Sequence, residues 1–223
     1  MMLLSLSSIS AKEIDPARVY VKKGNIIYVS NNNVQKRLTN KGIDRAPVLS
    51  PDGANVAFIR KSNEDAYDPI GGRNDARNLK ADQIWTIDIA GKNERMLVRD
   101  RNSEVSNNKD WKGEDVIGLI PDASLQFSPN GETIYFLTQA WVISNALHAV
   151  SVDGSSERFI TDANSLKVLT RGKYIGDLVI SQHRYFLTGG SYDWYYLVTP
   201  KGELVGPLGD DLKNVNWGVL SGE

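Results

Sequence analysis

The 223-residue chain contains no cysteine, which excludes a disulfide framework and a thiolate metal site. Histidine is scarce too. His148 and His183 are the only two, and neither has a second ligand at the short spacing a zinc site uses. They read as a packed strand residue and a turn residue. The chain also has no excess charge of either sign: 26 Lys and Arg oppose 27 Asp and Glu, a formal net charge of −1. No global basic field exists to gather nucleic acid or an anionic membrane. No run approaches the roughly 18 apolar residues of a membrane-spanning helix. Also absent are a Gly-x-Ser-x-Gly elbow, a phosphate-binding loop and a dinucleotide glycine fingerprint. Gly189-Gly190-Ser191 lacks the strand–turn–helix setting of a nucleophile, and nothing in the sequence calls for a cofactor.

Hydrophobic residues make up 41% and charged residues 24%, ordinary for a domain with a real core. One pattern recurs. "LSPDGANVAFIR" (residues 49–60) returns as "FSPNGETIYFLT" (residues 127–138). In Ser50-Pro51-Asp52-Gly53, proline presets φ, Asp suits the third position and Gly tolerates positive φ at the fourth. That is a hairpin turn closed by a glycine bulge, and Ser128-Pro129-Asn130-Gly131 repeats it. The flanking runs are continuously apolar and rich in β-branched and aromatic residues, as in strands buried on both faces. The segment downstream of each copy repeats as well. "QIWTIDIAGKNERMLV" (83–98) matches "ALHAVSVDGSSERFIT" (146–161), each a strand, a glycine turn and a Glu-Arg pair leading a second strand. Weaker versions are "WYYLVTPKGELVGPL" (194–208) and "NIIYVSNNNVQKRLT" (25–39).

These residues resemble the TolB-like propeller repeat, a WD40-like Ser-Pro-Asp-Gly motif also found in the propellers of prolyl oligopeptidase and tricorn-type proteases. The resemblance covers most of residues 18–220. It implies an all-β propeller of four-stranded antiparallel blades, whose ring is closed by pairing of N- and C-terminal strands. TolB-like proteins typically carry six blades and an N-terminal α/β domain, more than this length holds. The count here is four: blade one at 18–40 plus 213–220, blade two at 45–98, blade three at 123–161 and blade four at 176–208. Residues 12–223 would form this single domain. In blade four, Gln182-His183 would stand in for the Pro-Asp turn, and a fifth blade arises if residues 162–176 hide a hairpin.

Residues 1–11, "MMLLSLSSISA", are apolar and rich in small residues but lack a positively charged start. They read as a signal-peptide remnant or a disordered tail. The signal reading puts the protein in the periplasm or outside the cell; without it, the protein would be cytoplasmic.

Two polar insertions exceed what blades need. Residues 61–82 bring Tyr67, Arg73 and Arg77 together with several carboxylates, and either arginine can clasp a carboxylate through two parallel hydrogen bonds. Residues 99–122 place Trp111 in otherwise polar sequence, an anchor of the kind that dominates interfaces. Their Asp and Asn oxygens lack the ordered spacing of a calcium loop. The expected function is therefore a non-catalytic binding module whose partner, by the resemblance, is a protein, peptide or envelope component. The competing reading is a hydrolase or lyase with an acidic site at the channel mouth. A closed monomer is expected, with association if sheet edges stay unsealed.

Overall fold

Each Ser-Pro-x-Gly segment closes a tight turn in the computed structural model, which describes residues 15–66, 79–101 and 112–222. Gly53 N donates to Ser50 O at 2.9 Å and Gly131 N to Ser128 O at 2.9 Å, with both glycines at positive φ, 72° and 74°. The serine hydroxyls complete the turn: Ser50 Oγ accepts from Asn55 N and Ser128 Oγ from Thr133 N, both at 2.9 Å. Thus the repeated residues build matching hydrogen-bond patterns.

Among the described residues, fifteen strands form four antiparallel sheets, each a simple up-and-down meander. Sheet one holds β1 (Arg18–Lys22), β2 (Asn25–Val29) and β3 (Gln35–Arg37). Sheet two holds β4 (Asp44–Leu49), β5 (Asn55–Asp65), β6 (Lys80–Asp88) and β7 (Arg95–Val98). Sheet three holds β8 (Gln126–Phe127), β9 (Thr133–Gln139), β10 (Asn145–Ser151) and β11 (Arg158–Ala163). Sheet four holds β12 (Ser165–Val168), β13 (Leu178–Tyr185), β14 (Ser191–Val198) and β15 (Leu204–Gly209).

Alternation along the strands stacks these sheets face to face in chain order. On β5, Val56 and Phe58 pack toward sheet one with Ile26 and Leu38, while Ala57 and Ile59 pack toward sheet three with Ile134 and Phe136. On β9, Tyr135 and Leu137 turn the other way, onto Leu178 and Ile180 of sheet four. A strand with cores on both sides must be apolar at every position, which explains the unbroken runs in the sequence. Cationic side chains then staple each blade to the next at its outer turn. Lys36 Nζ donates to Ala90 O at 2.7 Å, Arg95 Nη2 to Val152 O at 2.5 Å and Arg158 Nη2 to Pro200 O at 2.9 Å. The sheets are the blades of a β-propeller.

Three sequence expectations need correction. Gln182 and His183 do not form a turn; they lie within β13, paired with Trp194 and Asp193 of β14. The residue 162–176 stretch supplies β12 and the turn after it, so it completes blade four and builds no fifth blade. Residues 214–220 are not a sealing strand. Leu212–Asn214 is a 3₁₀ turn and Trp217–Leu220 a short helix, α1. Two local caps divert the chain: Asp211 accepts from Lys213 N, and the Asn216 side chain accepts from Val219 N. Such side-chain bonds compete directly with strand pairing. Leu212, Val215, Trp217 and Leu220 then cover the outer side of blade four, against Leu169, Val179 and Leu197. Among the described residues sheet one keeps three strands, and β1 pairs with β2 alone. No helix among them is long and apolar enough to cross a membrane.

Candidate binding face

The meander gives the stack two unlike ends. One carries the turns between β4 and β5, β6 and β7, β8 and β9, and their counterparts in blade four. This turn end is tightly self-satisfied. Hydrogen bonds from Ser50 and Ala54 hold the Asp52 carboxyl below its ordinary range, and bonds to Ser155 do the same for Asp153. The other end carries the β5–β6, β9–β10 and β13–β14 connections and the crossings between blades.

At this loop end, the crossing from blade two to blade three is clamped by a buried carboxylate. Asp82, fully buried on β6, accepts from Arg45 Nη2 at 2.6 Å and from Ile120 N at 2.8 Å through Oδ2. Lys61 Nζ lies 2.8 Å from its Oδ1. Backbone bonds finish the clamp: Asp82 N donates to Gly118 O and Gln139 N to Leu119 O, both at 2.8 Å. Arg45 also pairs with Asp122. Beside it, Arg60 makes a two-pronged contact with Asp44, at 2.5 and 2.9 Å, and pairs with Glu94. Burial alone would lower the Arg60 pKa, yet the two carboxylates hold it above the ordinary arginine value. These acids are committed to cations, which stiffens the roots of both insertions.

Farther round, one cleft opens between blades three and four and a second on blade four beside it. The first, about 470 Å³, is lined by Glu114, Trp141, Ile143, Phe159, Asp162 and Arg184. Its floor depends on Gly113, where an added Cβ would come within 2.3 Å of Trp141 Nε1. Arg184 Nη1 reaches Asp162 Oδ2 at 3.0 Å and pairs also with Gln182, which bonds Asp162 O at 2.9 Å. The second cleft, about 400 Å³, is lined by Phe186, Tyr192, Asp193, Trp194, Tyr196 and Asp210. Arg184 and Tyr192 are cross-strand partners and join the two.

The loop end also exposes apolar side chains that a solvated rim does not need. Ile43, Val142, Ile143, Tyr185, Phe186 and Leu187 are all exposed. Exposed apolar groups clustered on one face mark contact surfaces. The sequence pattern alone does not mark these residues, because an aromatic strand such as Tyr192–Tyr196 reads equally as intersheet packing. Tyr196 does border the core shared with blade three, but Trp194, two residues nearer the tip, extends past it. The lengths of β13 and β14, eight residues each around a Tyr-Phe-Leu-Thr-Gly-Gly tip, carried the signal. Tyr67, Arg73, Arg77 and Trp111 lie outside the described residues, although their segments leave from and return to this end: Ala66 N donates to Leu79 O at 2.7 Å.

Neither a protein-family model nor a curated protein matches the chain by sequence. Solved structures do match. The dipeptidyl peptidase 4 of Porphyromonas gingivalis superposes with a TM-score of 0.57 at 13% identity, over 87% of this chain and 31% of that one. TolB from Acinetobacter baumannii gives 0.48 at 15% identity, over 84% and 41%. The β-propeller domain of the trilobed protease from Pyrococcus furiosus gives 0.45 at 13% identity, over 78% and 45%. The chain therefore spans less than half the length of each. At these identities the likeness speaks to fold alone, and the fold is a β-propeller.

Proposed function

We propose that the protein is a binding module that docks a protein or peptide partner across its loop end, in the periplasm or outside the cell. The observation that carries this reading is that exposed apolar side chains of that end, Ile143 and Phe186 among them, line two clefts there. Rigid blades hold the face and the clamped crossing fixes its roots, so little ordering entropy is lost on docking. Tyr67, Arg73, Arg77 and Trp111 would extend the contact from the two insertions. The enzyme reading gains less support: three carboxylates of this end, Asp44, Asp82 and Asp162, are each engaged by an arginine.

Site-specific photocrosslinking tests the proposal in the native host. A benzoyl-phenylalanine at Ile143, on the loop end, is expected to trap a discrete partner. The same group at Asn130, on the turn end, is expected to trap none. Equal labelling from both positions, or none from Ile143, would refute docking at this end.

A further inference from the structure

The cleft of blade four brings three aromatic rings, Phe186, Tyr192 and Trp194, beside the carboxylates Asp193 and Asp210. Tyr192 and Trp194 stand edge to face, with ring centroids 6.0 Å apart and an interplanar angle of 89°. Phe186 backs Tyr192 at 4.5 Å. In an edge-to-face pair the edge of one ring meets the face of the other, and an aromatic face left toward the cleft attracts ammonium and guanidinium groups. Asp210 supplies a full negative charge at the rim and has no hydrogen-bond or ion-pair partner among the described residues. Neighbouring Asp193 faces His183 Nδ1 at 2.9 Å, and Asp211 is occupied with Lys213 N. Arg184, the cation near the inner end, lies 6.0 Å over Tyr196 and is already paired with Asp162.

Other tryptophans of this chain show the completed arrangement. Arg60 lies 4.6 Å over the Trp85 ring, and Lys167 Nζ lies 3.8 Å over Trp217. Trp194 has the same half-buried setting, with a free carboxylate beside it and no such cation among the described residues.

We infer that this cleft receives a lysine or arginine side chain from a basic peptide segment of the partner, with the alkyl stem against Phe186 and Tyr192 and the charge between Trp194 and Asp210. The inference rests on the loop end being a docking face and specifies the partner's chemistry there. The acidic rim favours a cation, and the exposed Tyr185 and Leu187 beside the cleft offer contact to the peptide flanking it.

The test uses the full chain, isotope-labelled, titrated with an acetylated and amidated Lys-Gly-Ser repeat peptide while the Trp194 indole resonance is followed. Trp194→Phe assigns that resonance. The basic peptide is expected to shift it saturably, whereas the same peptide with acetylated lysines, or with glutamate in their place, leaves it unmoved. Asp210→Asn is expected to weaken binding about threefold, as for an exposed ion pair; its position is exposed, so the fold persists. Equal binding of the acetylated peptide, unchanged affinity in Asp210→Asn, or a response to tetramethylammonium without one to the peptide would each overturn the inference. Crosslinking from Ile143 in the absence of any basic-peptide response would overturn it while leaving the docking face intact.

Discussion

The guanidinium of Arg158 donates to the carbonyl oxygen of Pro200 at 2.9 Å, joining the outer strand of blade three to the outer turn of blade four. Arg95 makes the equivalent bond from blade two to Val152 of blade three. Both come directly after the glutamate of the repeated Glu-Arg pair, so this element of the repeat encodes blade-to-blade attachment. The bond is solvent-exposed, and Arg158→Met is expected to cost about 1 kcal/mol, as for an exposed charge-assisted bond. Urea denaturation measures it; a cost of about 3 kcal/mol or more would mean that Arg158 has another role.

Phe58 and Phe186 separate core from surface function. Phe58 is fully buried between blades one and two, and Phe186 is 55% exposed. Phe58→Ala is expected to lose about 3–5 kcal/mol of stability, and Phe186→Ala to stay within about 0.5 kcal/mol of the parent. The same denaturation experiment reads both. A Phe186 variant as unstable as the Phe58 variant would mean that the cleft is part of the core.

Acid should unfold the protein through Glu157 among others. Burial alone would raise its pKa, but hydrogen bonds from His148 Nδ1 and Arg101 and their charges bring it from 4.5 to about 2. A carboxyl depressed in the folded state binds protons more readily when unfolded. Its contribution, about 2 kcal/mol in scale, is therefore complete above pH about 4.5 and drains as pH falls toward about 2. Glu157→Gln is expected to be less stable at neutral pH and to lose less stability across that acid window. Parallel pH profiles for the two proteins would contradict this.

Two glycines at similar positive φ should respond differently to alanine. At Gly53 a Cβ meets nothing within 4 Å, so Gly53→Ala is expected to cost only the left-handed strain, about 1–2 kcal/mol. At Gly24 the same atom would sit 2.1 Å from Gly42 O, where the first blade hands over to the second. Gly24→Ala is expected to be worse than Gly53→Ala by about 2 kcal/mol or more, because a backbone must move. Equal melting temperatures would disprove the close approach.

Most of the blades were readable from residues because turn chemistry and two-sided burial leave strong local traces. Ser50 and Ser128 announce their turns, and the runs after them can only be inner strands. Blade four hid its first strand because Ser165–Val168 has four residues and no Pro-Asp-Gly turn after it. The C-terminus misled because Val215, Trp217 and Leu220 suit a strand as well as a helix, and only the caps at Asp211 and Asn216 decide. The two long insertions were legible as surplus to the blades. The aromatic cleft was not, since whether Trp194 packs or projects depends on how far β14 outruns the core.

Docking on the loop end is tested most directly by comparing charge substitutions at its exposed apolar residues with the same change on the opposite end. Ile143→Glu and Leu187→Glu are expected to abolish partner co-purification from native extracts without lowering the melting temperature, while Ile175→Glu on the turn end leaves it intact. Retention with both loop-end variants, or loss with Ile175→Glu alone, would contradict the account.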